Sequence, residues 1–181
     1  MLTAEQKQKL AAVFTKEHLG VLITQGTAWA TGTMQAFAET DACEIIFIVA
    51  ANAEKYENAL KRPRVTVMVD TRDQGPAPET FQIARISMQG VASEVAPGSA
   101  DWERLKAVFL RKNPFEAPFF GNPALRMLLV KPQRVSYANG LARLLQGGIL
   151  AIGLLRAGPS RSRRRPAFSQ RRTDVAQPVY R

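Results

Sequence analysis

Reactive side chains are scarce in this chain of 181 residues, which holds one cysteine, Cys43, and one histidine, His18. A single cysteine excludes an internal disulfide framework and a cysteine-ligated metal centre, and it suits a reducing compartment, so a cytoplasmic location is expected. With the one histidine far from that cysteine in sequence, neither a nucleophile–histidine triad nor a zinc site has its parts. The P-loop, G-x-G-x-x-G, H-E-x-x-H and serine-elbow signatures are absent as well. Long apolar runs are also missing, since no stretch reaches the roughly 20 residues that a membrane-spanning helix needs. The opening MLTAEQKQKL has no basic region leading into an apolar run, so no secretory signal is expected. A chain this poor in acid–base side chains can still be an enzyme if a cofactor carries the chemistry.

Acidic residues run out toward the C-terminus. The formal net charge is +10, yet from Gly140 onward there are nine arginines against Asp174 alone, leaving 16 Lys+Arg and 14 Asp+Glu in residues 1–139. Basicity is therefore a property of the tail, and the body is nearly neutral. The length suits one domain, placed at residues 1–139, with residues 140–181 as an appendage. Residues 141–155, LARLLQGGILAIGLL, are apolar but broken by glycines, and read as an added helix or an interfacial segment. The remainder, RAGPSRSRRRPAFSQRRTDVAQPVYR, has the composition of a disordered basic arm. Such an arm could touch nucleic acid or anionic lipid, but it lacks regular aromatic interleaving and ranks as a nonspecific tail.

What the chain does have is a dense central unit, Glu44 to Asp70, EIIFIVAANAEKYENALKRPRVTVMVD. The run Ile45–Val49 is β-branched and aromatic, which predicts a strand buried on both faces. Asn52 is placed to cap a helix over Ala53–Leu60, Arg62-Pro63 stops it, and Arg64–Val69 returns as a strand. Lys55 falls in the first turn of that helix, where the dipole is already positive and favours an anion. Lys55 is either a solvated surface charge or one half of a phosphate cradle whose other half is the free N–H groups of the helix start.

The flanks predict the rest of a barrel. Thr3 and Gln6 have capping-box spacing before a helix over 4–17, with His18 at its end in a structural role. A hairpin follows, from Val21–Thr24 through a turn at Gln25-Gly26 to a strand near Ala28–Phe37. The segment TRDQGPAPET reads as a surface loop, and Phe81–Val95 as one extended strand or a bent one, with Gly90 at a bulge or close approach. Ser99 caps a second helix carrying Trp102, Leu105 and Phe109 on its core face, and Asn113-Pro114 ends it. Phe115, Phe119 and Phe120 form an aromatic loop, and two short strand pieces, Met127–Val130 and Arg134–Tyr137, separated by Lys131-Pro132, close the body. About six strands with hairpin connections and two or three helices predict an antiparallel barrel, α+β in class.

The order of these elements resembles the pyridoxamine 5′-phosphate oxidase-like FMN-binding split-barrel superfamily over residues 5–139. The residues that carry the resemblance are the spacing Lys55…Asn58…Arg62-Pro63-Arg64-Val65, the run Gln89-Gly90-Val91-Ala92, and the late Arg134-Val135-Ser136-Tyr137 strand. The resemblance implies a six-stranded antiparallel split barrel that binds FMN, works as a homodimer and acts as an oxidoreductase on a small molecule. By position, Lys55 matches the flavin-phosphate ligand and Arg85 a polar flavin contact. Thr33 and Met34 fall on the strand whose backbone lies along the isoalloxazine edge, while Val49 and Asn52 flank the turn beside the phosphate. Two departures count against pyridoxamine phosphate itself as substrate. Glu54 stands where the oxidase has an arginine, and no late tryptophan and arginine motif follows Tyr137. The alternatives are a noncatalytic flavin- or ligand-binding barrel, and a deazaflavin- or haem-handling relative, with His18 alone a poor basis for a haem ligand.

Overall fold

The apolar run that dominates the sequence becomes the strand on which both layers of the core are packed. The computed structural model describes residues 3–71 and 83–139, so the expectations for most of the TRDQGPAPET loop and for the whole basic tail lie outside the described residues. The elements are α1 (Ala4–Phe14), β1 (Leu19–Gln25), β2 (Ala30–Glu39), β3 (Ile45–Ala50), α2 (Glu54–Lys61), β4 (Arg64–Asp70), β5 (Ala84–Val95), α3 (Ala100–Lys112), a 3₁₀ segment (Pro114–Gly121) and β6 (Leu125–Asn139). All strand pairings are antiparallel, and the ring closes in the order β1-β2-β3-β6-β5-β4.

Alternation along β3 sends Ile45, Phe47 and Val49 into the barrel and Ile46 and Ile48 outward. The inner set meets Leu22, Phe37, Val67, Ile86, Met88 and Val130, with Leu10, Val13 and Phe14 of α1 covering one mouth. The outer set meets Trp102, Leu105 and Phe109 of α3. Each fully buried Leu, Ile or Phe contributes about 1.5–3 kcal/mol, so β3 alone ties two clusters together. Two of the three predicted caps form: Thr3 and Gln6 make a reciprocal capping box, and Ser99 Oγ accepts from the Trp102 N–H.

Two expectations are corrected. Asn52 does not cap α2. The Ala53 N–H bonds the Ala50 carbonyl at 3.0 Å, which draws Asn52 into a turn, leaves it exposed, and makes Ala53 the cap residue with no side-chain bond. The late strand is also one piece, not two. Its register skips a residue between Gln89↔Arg134 and Gly90↔Pro132, so the proline sits at a bulge, where its missing N–H costs no ladder bond. Gly90 is required there, because a Cβ on it would stand 2.5 Å from the Lys131 carbonyl oxygen.

Candidate functional site: the split between β2 and β3

The ring is not paired evenly. β2 meets β3 only through Phe37–Glu39 opposite Ile45–Phe47, whereas all of β2 from Ala30 to Ala36 pairs with β1. Past that fork the two strands diverge. The direction of their free backbone groups follows from two bonds: Gly26 N–H to the Trp29 carbonyl (2.8 Å) and Phe37 N–H to the His18 carbonyl (3.2 Å). These turn the odd residues of β2 toward β1, so Gly32, Met34 and Ala36 present their N–H and C=O groups to the open edge. At the fork the Phe37↔Phe47 pairing engages Ala36 with Ile48, and beyond it no described residue takes the groups of Gly32 and Met34. By the same alternation Ile48 faces the opening from β3, while Val49 is turned to β6.

The far end of the opening is closed by a side chain. Glu54 Oε1 accepts from Thr31 Oγ1 at 3.4 Å and from Asn58 Nδ2 at 3.3 Å, carrying the first turn of α2 onto β2. Between this contact at Thr31 and the Phe37–Phe47 pair lie five residues of β2, six steps along the strand, a slot about 20 Å long at roughly 3.3 Å per residue. Glu54 thus acts as a strut between helix and hairpin. Gly26 permits that approach, since a Cβ there would stand 2.7 Å from the Trp29 carbonyl and 3.4 Å from Glu54 Oε1.

Beside this strut sits Lys55, partly buried, with no ion pair or hydrogen bond to any described residue. Burial pushes its ammonium below the usual lysine range. The backbone N–H groups of Glu54 and Lys55 are also free at the start of α2, because the bonds to the Ala53 carbonyl begin with Tyr56. On β2, Gln35 Nε2 is buried without a partner, on the same inward parity as Thr33 and Phe37. An open backbone edge and an unpaired ammonium at a helix start fit a planar heteroaromatic ring that carries a phosphate. They do not supply acid–base catalysis. Among the described residues no three His, Cys, Asp or Glu gather as a metal site, and burial pushes the Cys43 thiol up, away from the reactive thiolate.

The residues singled out from sequence are therefore distributed as follows. Thr33 turns a partly buried side chain inward, opposite Leu22, and Met34 contributes its backbone to the open edge while its side chain is 59% exposed outside. Lys55 and Asn52 stand at the α2 end of the slot. Val49 spends its side chain on the barrel core and its backbone on the pairing with Arg126, so neither faces the slot. Arg85 is elsewhere. It is exposed on β5, across from Asp70 and Ala138, near the mouth that α1 covers and three strands from β2 in the ring. Gln35 and the Ile48 backbone were not singled out from sequence.

Comparison with known proteins places the fold. No protein-family model and no curated protein matches the sequence. Solved structures do. A haem-binding protein from Mycobacterium smegmatis is 17% identical with a TM-score of 0.66, over 76% of this chain and 55% of that one, so the chain spans about half of that protein's length. A candidate pyridoxamine 5′-phosphate oxidase from Listeria innocua is 16% identical with a TM-score of 0.58, over 74% of this chain and 98% of that one. An FAD-binding protein from Mesorhizobium loti is 18% identical with a TM-score of 0.59, over 72% of this chain and 90% of that one. At such identities the likeness carries the fold and not the activity. The chain has the six-stranded split barrel of the pyridoxamine 5′-phosphate oxidase-like proteins.

Proposed function

We propose that the protein binds FMN along the β2–β3 split and serves as a flavin-dependent oxidoreductase for a small molecule. The observation that carries this reading is the open edge of β2 ending at an unpaired, partly buried Lys55. Lys55 and the free N–H groups of Glu54 and Lys55 hold the phosphate, and the backbone groups of Gly32 and Met34 orient the ring. The flavin, when bound, supplies the redox chemistry, and the protein binds and orients it. Purified protein mixed with FMN and desalted is expected to keep the two visible bands of an oxidised flavin. A colourless protein, or one that keeps a Soret band when offered haem and nothing when offered FMN, overturns the reading. A noncatalytic flavin carrier is the second reading, favoured by the lack of acid–base side chains at the slot, and a bound flavin that no reductant or small-molecule substrate turns over would establish it.

The same reading includes a homodimer. Cross-strand pairing puts Met34, Val21 and Met68 in one outward row across β2, β1 and β4, with Leu19 two residues on. Leu19, Met34 and Met68 are exposed, as are Phe115 and Phe119 of the 3₁₀ segment, while Phe120 packs on Trp102 and Phe109. An apolar row of this kind is suited to burial against a second copy, which would also offer Arg85 to a slot that its own chain cannot reach. Light scattering is expected to return twice the chain mass, and a monomer at micromolar concentration removes the dimer.

A further inference from the structure

A second cleft, of about 470 Å³, opens between the β1–β2 turn and α2, on the other side of the Thr31–Glu54 contact from the slot. Its size lies in the range of small-molecule sites. Two recognition groups on its walls have no use within the fold. Trp29 is 82% exposed, although tryptophan is highly buried on average. Arg62 is partly buried at the end of α2, and its guanidinium makes no ion pair or hydrogen bond with a described residue.

The other charges of the cleft are already engaged. Lys61 is paired with Glu57, and Glu54 Oε1 serves Thr31 and Asn58. Glu54 Oε2 accepts from no described residue and remains free for a hydroxyl or amine. An exposed indole stacks on an aromatic ring, a guanidinium takes a carboxylate or phosphate in a two-bond fork, and a carboxylate oxygen accepts from a donor on the ligand. We propose that this cleft is a binding site for a small aromatic anion carrying hydroxyl or amine donors, of nucleoside monophosphate chemistry, with Trp29 stacking on its ring and Arg62 holding its charge. The site is separate from the flavin slot and does not depend on that reading, because Lys55 does not line it.

Titration of the full chain with adenosine 5′-monophosphate, by calorimetry and by tryptophan emission, tests the assignment. Trp102 is buried, so quenching by the ligand reports Trp29, and it is expected in the wild type and absent in Trp29→Phe. Arg62→Ala is expected to weaken the nucleotide by roughly tenfold to a hundredfold, the loss of one charge-assisted contact, and to leave adenosine unchanged. Circular dichroism of both variants, whose side chains sit outside the core, checks that the fold is kept. Lys55→Ala should leave nucleotide binding as it was, even if FMN does not bind at all. The assignment is overturned by no saturable binding at millimolar nucleotide, by equal affinity in Arg62→Ala, by loss of binding in Lys55→Ala, or by inorganic phosphate binding as tightly as the nucleotide.

Discussion

Replacing Lys55 by alanine is expected to weaken FMN by roughly tenfold to a hundredfold, because it removes a charge-assisted hydrogen bond of about 1.5–3 kcal/mol. Riboflavin lacks the phosphate and should bind the wild type and Lys55→Ala alike, so the pair of titrations, read by flavin fluorescence, isolates the phosphate contact. Apo stability should hold or rise slightly, since a partly buried cation leaves the positive end of α2. The pH dependence has a definite sign. Burial lowers the folded pKa of Lys55 from 10.5, so the ammonium proposed to hold the phosphate is lost earlier than in an ordinary lysine. FMN affinity should therefore fall as pH rises through that lowered value, while apo stability rises between it and 10.5, where the unfolded chain binds the extra proton. Equal FMN affinities for wild type and Lys55→Ala would return Lys55 to an ordinary surface charge.

The largest effect on stability is expected at Glu39. Its carboxylate meets Lys112 Nζ at 2.5 Å, and the two side chains are only 21% and 12% exposed. Lys112 also donates to the Phe14 carbonyl at 2.8 Å and lies 3.8 Å from the Phe37 ring centroid, so one ammonium joins α1, β2 and α3. Removing one partner of such a pair costs roughly 3–5 kcal/mol when the other charge is left buried and uncompensated, and the carbonyl, the ring and the charge of Glu17 that remain around Lys112 place Glu39→Leu near the lower figure. Adding Lys112→Met should recover most of that loss, because an apolar pair of similar volume avoids the desolvation altogether. Urea unfolding of the two single variants and the double variant measures the coupling. Additive losses, with no recovery in the double variant, would show that the pair is not what holds the three elements together.

The parts of the fold that sequence reveals best are those whose period is dictated by burial. The run Ile45–Val49 had to be a strand with two covered faces, and Trp102, Leu105 and Phe109 had to share a helical face, because apolar side chains at those spacings have nowhere else to go. Caps were legible too, since Thr3 with Gln6 and Ser99 carry their own hydrogen-bond partners. What escaped was set by pairing, which no local pattern encodes. Asn52 is a better cap than Ala53 by residue type, but a turn at Ala50–Ala53 moved the helix start past it. Pro132 reads as a strand break until Gly90 is seen opposite it. At the candidate site, the position of Lys55 followed from its local unit. Which residues present their backbone to the split depended on the register of β2 against β1, and this parity turned Val49 away and brought Ile48 in.

The uneven pairing has a mechanical side. The β1–β2 hairpin holds itself together over seven residue pairs, from Leu19↔Ala36 to Gln25↔Ala30, but it joins the remaining four strands through only three pairs at each edge, Val21–Ile23 with Thr66–Met68 and Phe37–Glu39 with Ile45–Phe47. Such a leaf is stiff within and lightly hinged at its borders, so swinging it disturbs fewer ladder bonds than moving a strand from the broad β5–β6 ribbon. The swing sets the width of the split. A ring wedged against Gly32 and Met34 fastens the leaf to β3 and α2, and a molecule resting on the Met34–Val21–Met68 row fastens its other border to β4. Filling the slot and covering the row would then act on one hinge from opposite sides, and each would be easier once the other had stilled it.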